Sequence, residues 1–439
     1  MRKSMIGGIA LALVLVGGGI WLARRSSAAA AADSETALFT SEAQGEGLAI
    51  RLDAKEPLRA VRWLQPLPGG LALCQVSTQS DRQLLAKFQD GRPTQVIAIP
   101  RPAGLSEGYF RQSEVRDAVV MGDILLLLLK ADGGRREWPV VLALNPEGAL
   151  IWAQRVQAEH LVADGAQIWA WGPTGAQRMP VALGSAERLG PKPERPGLPG
   201  PLRWPEEVPP PTALIPTPGG FLVSHGKGLS AWKSEGGWHH TSAPTPSPLG
   251  FSEPKGTLVK AGEILYWQPE AGLLLRVNPD AGILGAESLP APGEALDGAL
   301  LRLLGRSADG RLWFGLAAPL LPEVKAAAPS TPPTETPAEE GWKVESTPSD
   351  AALPAQTPLT ADLRTAYQAL LAKPMDRLYV WKPGEGSLRL VVWSQAWPKL
   401  GAPAGFPPPP GDGGLRPEAG GFLFGLEQQR WWLPLKALP

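Results

Sequence analysis

The side chains able to do chemistry are few: four histidines and one cysteine in 439 residues. The adjacent pair His239-His240 suggests a metal site. Neighbours along a strand point to opposite faces, however, so the two do not readily share one ion. The pair reads instead as an exposed turn following Gly236-Gly237-Trp238. His160 falls in a predicted strand with no serine or cysteine nucleophile pattern beside it, and reads as a core or channel residue. Cys74 sits in the apolar run Leu71-Ala-Leu-Cys-Gln-Val and reads as a small buried hydrophobe. No G-x-S-x-G, P-loop or H-E-x-x-H string occurs. The acidic residues of Asn145-Pro-Glu147 and Asn278-Pro-Asp280 lack the dense alternating oxygens of a calcium loop and read as turn residues. No catalytic, cofactor-binding or metal-binding residue is assigned on this basis.

Tryptophan is the unusual count, 17 against 4 tyrosines. Trp152, Trp169, Trp267, Trp313 and Trp381 recur at similar places in a repeat and suit packing between repeats. Trp63, Trp204, Trp238, Trp431 and Trp432 fit the repeat less well. With His239 and His240 they form the candidate interaction surface, for a peptide or glycan, because tryptophan is enriched at interface hot spots.

These residues must be positioned by many short elements. Glycine (51) and proline (49) are too frequent for a long helical bundle. Charged residues are 19% of the chain, too few for a disordered or coiled-coil protein of this length. The 42 basic and 42 acidic side chains cancel, which argues against a nucleic-acid partner. One cysteine permits no intrachain disulfide.

A strand opening on Gly or Asp-Gly recurs at Gly69, Gly122, Asp164, Gly219, Gly262, Asp309 and Gly420. The starts lie 53, 42, 55, 43, 47 and 111 residues apart, and five of these intervals are near one propeller blade. The long interval holds Glu323 to Leu359, 37 residues rich in Pro, Thr, Ala and Glu with net charge −4, which read as a disordered insert. Each copy has a strand before it and further strands after it, joined by turns such as Asn145-Pro-Glu-Gly148. Four strands per unit is a blade. The last unit lacks a fourth strand, and residues 46–53 form an orphan strand upstream of the first unit. Pairing the two closes the ring and removes sheet edges. The expectation is all-β: a seven-bladed β-propeller over residues 46–439, closed by an N-terminal strand, with six or eight blades as alternatives. The pieces Leu144-Asn-Pro-Glu-Gly148…Trp152 and Asp309-Gly-Arg-Leu-Trp313-Phe-Gly315 resemble repeats of bacterial propellers of the PQQ-like and NHL-like kinds. That resemblance implies architecture and no particular chemistry.

Arg2 and Lys3 precede an uncharged run of 19 residues, Met5 to Ala23, and Arg24-Arg25 follow it. The run is long enough for a bilayer core of ~30 Å. Residues 1–25 are therefore expected to be a membrane anchor, with a cleaved signal peptide and a secreted body as the alternative. Residues 26–45 read as a flexible tether. The basic residues lean slightly toward a cytoplasmic N-terminus, which puts the propeller in the periplasm of a bacterial inner membrane. Pro191 to Pro211 carries nine prolines in 21 residues and reads as an extended connector. Residues 360–373 read as an amphipathic helix, capped by Thr360 and ended by Pro374.

The function expected from these features is a non-enzymatic envelope scaffold without a cofactor, partnered by an envelope or inner-membrane protein. The alternatives are a propeller enzyme, either a quinone-dependent dehydrogenase or a metal-dependent hydrolase or lyase, and a periplasmic ligand sensor.

Overall fold

Two runs of the chain, Leu71–Thr78 and Ile124–Ala131, are strands with no exposed face. Burial on both sides requires a sheet sandwiched between two others. A ring of sheets packed face to face provides this. The computed structural model describes residues 38–45, 47–54, 57–64, 66–131, 138–164, 167–180, 189, 202–243, 256–270, 272–289, 301–316, 377–392, 420–426 and 429–435. They form seven antiparallel four-stranded sheets, the blades of a β-propeller.

The chain begins with β1 (Phe39–Gln44) and β2 (Gly47–Leu52), which belong to the last blade. Blade one holds β3 (Leu58–Trp63), β4 (Leu71–Thr78), β5 (Gln83–Gln89) and β6 (Arg92–Ala98). A short helix, α1 (Glu107–Gln112), leads into blade two: β7 (Ser113–Met121), β8 (Ile124–Ala131), β9 (Val140–Leu144) and β10 (Leu150–Arg155). Blade three is β11 (His160–Asp164), β12 (Gln167–Gly172), β13 (Gly175–Met179) and the two-residue β14 (Leu202–Arg203). Blade four is β15 (Ala213–Thr217), β16 (Gly220–His225), β17 (Gly228–Lys233) and β18 (Gly237–Ser242). Blade five is β19 (Thr257–Ala261), β20 (Ile264–Glu270), β21 (Leu273–Val277) and β22 (Ile283–Glu287). Blade six is β23 (Leu301–Arg306), β24 (Leu312–Leu316), β25 (Arg377–Trp381) and β26 (Arg389–Val392). Blade seven ends the chain with β27 (Gly421–Leu426) and β28 (Gln429–Pro434).

The turn glycines that mark the repeat explain themselves. Gly69, Gly122, Gly219, Gly262, Gly310 and Gly420 all lie at positive φ, where a side chain is disfavoured. The Asn-Pro turns work as expected. The Asn145 side-chain oxygen accepts from Ala149 N at 2.7 Å, and that of Asn278 accepts from Gly282 N at 2.7 Å.

Ring closure occurs where the orphan strand predicts it. β2 pairs antiparallel with β28, Leu48 opposite Trp432 and Arg51 opposite Gln429. Leu435 N bonds Gly420 O as Ser234 N bonds Gly219 O, so β27 and β28 match the second and third strands of blade four. β2 then occupies the fourth position. β1 is a strand beyond it, paired from Phe39–Leu52 to Gln44–Gly47. Within the expected tether over residues 26–45, residues 39–44 are thus a strand, and residues 26–37 lie outside the described residues. Phe39 is buried against Trp63 and Phe88, with ring centroids at 5.8 and 5.0 Å, and that packing holds the strand.

Several other expectations fall outside the described residues. They are the anchor over 1–25, the insert over 323–359, the helix over 360–373 and the strand ahead of Gly420. Among the described residues no helix is long and apolar enough to cross a membrane.

Apolar clusters fill the seams between blades. One joins Leu73, Leu85 and Ile97 of blade one to Val115, Leu127 and Leu142 of blade two, with Tyr109 and Phe110 of α1. Another joins Phe39, Ile50 and Trp432 of blade seven to Cys74, Val76 and Phe88 of blade one. Burial pushes the Cys74 thiol far above its ordinary pKa, as an inert core residue requires. Buried amides also bridge seams. Gln75 of β4 donates to Ser113 O at 3.1 Å and accepts from Val115 N at 2.7 Å on β7. Gln268 of β20 does the same to Leu301 O and Leu303 N on β23. A second-strand side chain thus satisfies backbone groups of the next blade's first strand.

Gly91 tests the closing seam. It lies at φ 78 in the Asp90-Gly91 hairpin, and a Cβ there would meet Trp432 Cβ at 2.5 Å. Gly237 has a similar φ of 73 but nothing within 4 Å. Gly91→Ala should lower the unfolding free energy by about 2–4 kcal/mol and Gly237→Ala by only about 1–2 kcal/mol. Urea denaturation of the two variants measures both, and equal losses would contradict this packing.

Candidate interaction surface

The first strands of consecutive blades lie side by side, β7 with β11, β11 with β15, β15 with β19 and β19 with β23. Their polar side chains form pairs. Arg62 binds Glu114, and Arg116 reaches Glu114 at 3.3 Å. Lys260 of blade five reaches Asp164 of blade three at 3.3 Å. His160, in its predicted first strand, lies 3.7 Å from Asp117 and 4.6 Å from the Trp171 ring. Pairs this exposed contribute little stability. Among the described residues no three metal-ligating side chains cluster.

The seam between blades three and four is different. Alternation in β16 and β17 puts Phe221, Val223, His225, Ser230 and Trp232 on the face toward blade three. Leu222, Leu229 and Ala231 face blade five. Trp169 and Trp171 of β12 meet the first set. The result is an aromatic cluster. Phe221 stacks on Trp232 at 5.6 Å and meets Trp169, Trp204 and Trp238 edge-on at 4.8, 5.9 and 5.8 Å. Trp169 and Phe221 are buried, whereas Trp204, Trp232 and Trp238 are half-buried. Trp204 meets Trp238 edge-on at 5.9 Å and donates its indole N–H to Gly172 O at 2.8 Å. The cluster therefore runs from core to surface and ends in two held indoles.

The same seam carries a polar chain. Lys227 N donates to His225 Nδ1 at 3.2 Å, which assigns the His225 proton to Nε2. His225 Nε2 lies 2.9 Å from Ser230 Oγ, and Ser230 Oγ lies 3.0 Å from His240 Nδ1. The pattern assigns His225 as donor to the hydroxyl and His240 as acceptor from it. The two imidazoles stack, centroids 5.3 Å apart and 11° between planes. Burial first, then His240 and Lys227, pulls the His225 pKa down to about 4. His240 is also pulled down, chiefly by burial, with the Leu229 backbone opposing and Lys227 assisting.

Beside this cluster lies the outer edge of blade four. Four other outer strands are interrupted: β6 carries Pro93 and a register shift, β10 and β22 carry shifts, and β14 has two residues, while β26 is short and β1 carries Glu42. β18 pairs with β17 without a shift over six residues, Gly228–Ser242 to Lys233–Gly237, and contains no proline and no acidic or lysine side chain. Such interruptions are the usual guards against strand pairing at an edge.

The expected surface residues therefore separate. Trp204, Trp238, His239 and His240 come together at the third and fourth blades. His239 and His240 lie in β18, not in a turn, and Ala231 and Ser230 stand opposite them. Both are exposed. Trp63 packs on Phe88 at 4.9 Å beneath Arg430, in the closing seam. Trp431 and Trp432 are 2% and 1% exposed and are no surface, because β28 lies between two strands and faces neighbouring blades. The tryptophans expected at one repeated place are also spread: Trp152 lies in a fourth strand, Trp381 in a third, and the others in second strands. Ser230 and Trp232 escaped the sequence reading, although their spacing of two residues placed them on one face.

No protein family and no curated protein matches the chain. Among solved structures it is similar to BamB from Moraxella catarrhalis, at 12% identity and a TM-score of 0.30, over 63% of this chain and 88% of that one. The β-propeller domain of Cps50 (Swd1) from Myceliophteria thermophila is similar at 12% identity and 0.32, over 56% and 78%. A chain of the mitotic checkpoint complex is similar at 10% identity and 0.40, over 87% and 96%. Likeness this low carries no argument about function, and the fold rests on the seven sheets themselves.

Burial predicts how the tryptophans respond to truncation. Trp432→Ala should cost about 3–5 kcal/mol of stability, as for a filled core site. Trp238→Ala should cost less than half as much. Chemical denaturation checks the order, and a reversed order would remove Trp238 from the surface.

Proposed function

We propose that this chain is a non-enzymatic scaffold of the bacterial cell envelope that binds another protein through the aromatic edge of its third and fourth blades. One observation carries the reading: Trp204 and Trp238 stand half-buried and edge-to-face at 5.9 Å, fixed from below by a buried aromatic cluster. Rigid indoles lose little conformational freedom on binding, and tryptophan is the residue most enriched at hot spots. The uninterrupted edge of β18 beside them supplies backbone groups to a partner segment.

The proposal includes the address. The uncharged run Met5 to Ala23 holds the protein in the inner membrane as a single span, with the propeller in the periplasm. The balance of 42 basic and 42 acidic side chains supports a protein partner over nucleic acid.

The test is crosslinking in intact membranes, recovery of the full chain and mass spectrometry of what accompanies it. A stoichiometric envelope protein is expected. The double variant Trp204→Ala, Trp238→Ala should lower its recovery at least ~30-fold, the effect of losing about 2 kcal/mol at a hot spot. Recovery of the same partner at the same level by the double variant would refute this surface. A chain that emerges alone would refute the scaffold.

A further inference from the structure

The polar chain His225–Ser230–His240 runs through the same seam as the aromatic edge, and nothing in the binding reading uses it. Its position is unusual. His225 is 2% exposed and Ser230 is 1% exposed, so two groups of the chain are shut in the core. His240 lies two residues from Trp238 on the same face of β18, and Ser230 lies two residues from Trp232 on β17. The imidazoles and the tryptophans are thus carried by the same strands.

We propose that His225, Ser230 and His240 form an acid-sensitive latch on the seam between blades three and four, closed when both imidazoles are neutral and released by their protonation. The inference rests on the reading of this edge as a binding surface, whose regulation it names.

The bonding explains why one added proton is not tolerated. His225 Nδ1 accepts from the Lys227 backbone N–H, so a proton on Nδ1 sets two donors against each other. His240 Nδ1 accepts the Ser230 hydroxyl, so a proton there breaks that bond and leaves the Ser230 O–H without its acceptor. Two cations would then stack 5.3 Å apart, one of them, His225, buried where its charge is disfavoured.

Among the described residues no carboxylate opposes these effects on His225. Lys227 stands in the turn between β16 and β17, and its Nζ reaches the Glu207 carbonyl at 3.5 Å, not a histidine. Blade three contributes Trp169, Trp171 and Ala176 to the shared cluster, with Arg178 opposite Trp169 on β13 and Arg203 at its outer strand. His239 points to the opposite face of β18. On the face toward blade five, Ser224 donates to Gly256 O at 2.7 Å and Thr212 lies 3.0 Å from Ser224 Oγ.

The sign follows from linkage. A folded pKa held below the unfolded value means that the open seam binds the proton better. The closed state is fully favoured above about pH 6.5 and loses ground as pH falls toward about 4, the His225 value. From pH 7.5 to 5.0, His225 alone should raise the opening equilibrium about 30-fold.

Hydrogen exchange of the full-length protein at pH 7.5 and 5.0, corrected for intrinsic rates, reads the opening directly. Amides of β16, β17 and β18 should open about 30-fold more at pH 5.0, while those of β8 and β9 keep their protection. In His225→Gln the response should fall below about threefold. His240→Gln, at an exposed position, serves as the second variant should the buried one fail to fold, and should also blunt the response. An unchanged opening in the wild type, or a response of wild-type size in either folded variant, would overturn the latch. Crosslinked recovery at the two pH values separates the two readings. Acid opening without any partner at pH 7.5 would sink the binding surface and keep the latch. A partner held equally at both pH values with no opening would sink the latch and keep the surface.

Discussion

Sheets arranged in a ring must meet themselves, and here the meeting is made by β2 pairing with β28. Every other blade is continuous in the chain, and its packing presupposes two neighbours. Without that pairing, blades one and seven would each expose an apolar face: Ile50, Trp432 and Phe39 on one side, Cys74, Val76 and Phe88 on the other. Antiparallel hydrogen bonds between residues nearly 400 apart in sequence are costly to form and absent until late contacts are made. Once formed, they remove the faces on which the ring would otherwise unravel. The additional strand β1 and the close fit of Gly91 against Trp432 reinforce the same seam.

Within the ring the seams share one construction. Apolar side chains from both faces of a sheet interdigitate with the next, and buried amides such as Gln75 and Gln268 take up backbone groups that no strand reaches. The seam between blades three and four departs from it. Blade three ends in a two-residue outer strand, while blade four continues to a full β18. The aromatic cluster thus reaches the surface as half-buried indoles. Besides the Gln167 bridge to Thr217 O, that seam buries His225, whose charge depends on pH, whereas Gln75 and Gln268 in the one–two and five–six seams do not titrate. The proposed binding and acid response belong to one place because one strand, β18, carries both Trp238 and His240.

The blades were legible because their signals are local. Gly and Asp-Gly turns require positive φ, the Asn145 and Asn278 turns cap themselves, and two-sided burial makes β4 and β8 uninterrupted apolar runs. The closing strand was legible by subtraction, as one strand lacking upstream and one missing downstream. β1 was not legible. Phe39-Thr-Ser-Glu-Ala-Gln has one large apolar residue, and its order comes from Trp63 and Phe88 far along the chain.

The surface divided along the same line. Sequence alone determined that His239 and His240 cannot share one face of a strand and that Cys74 belongs inside, because alternation and hydrophobicity are properties of a few neighbouring residues. Only the tertiary structure decided that Trp431 and Trp432 are core while Trp204 and Trp238 meet at the rim. It alone joined His225, Ser230 and His240 into one hydrogen-bonded chain. Exposure depends on what the neighbouring blade places opposite a residue, and that neighbour is set by the closure of the ring, not by any residue nearby in sequence.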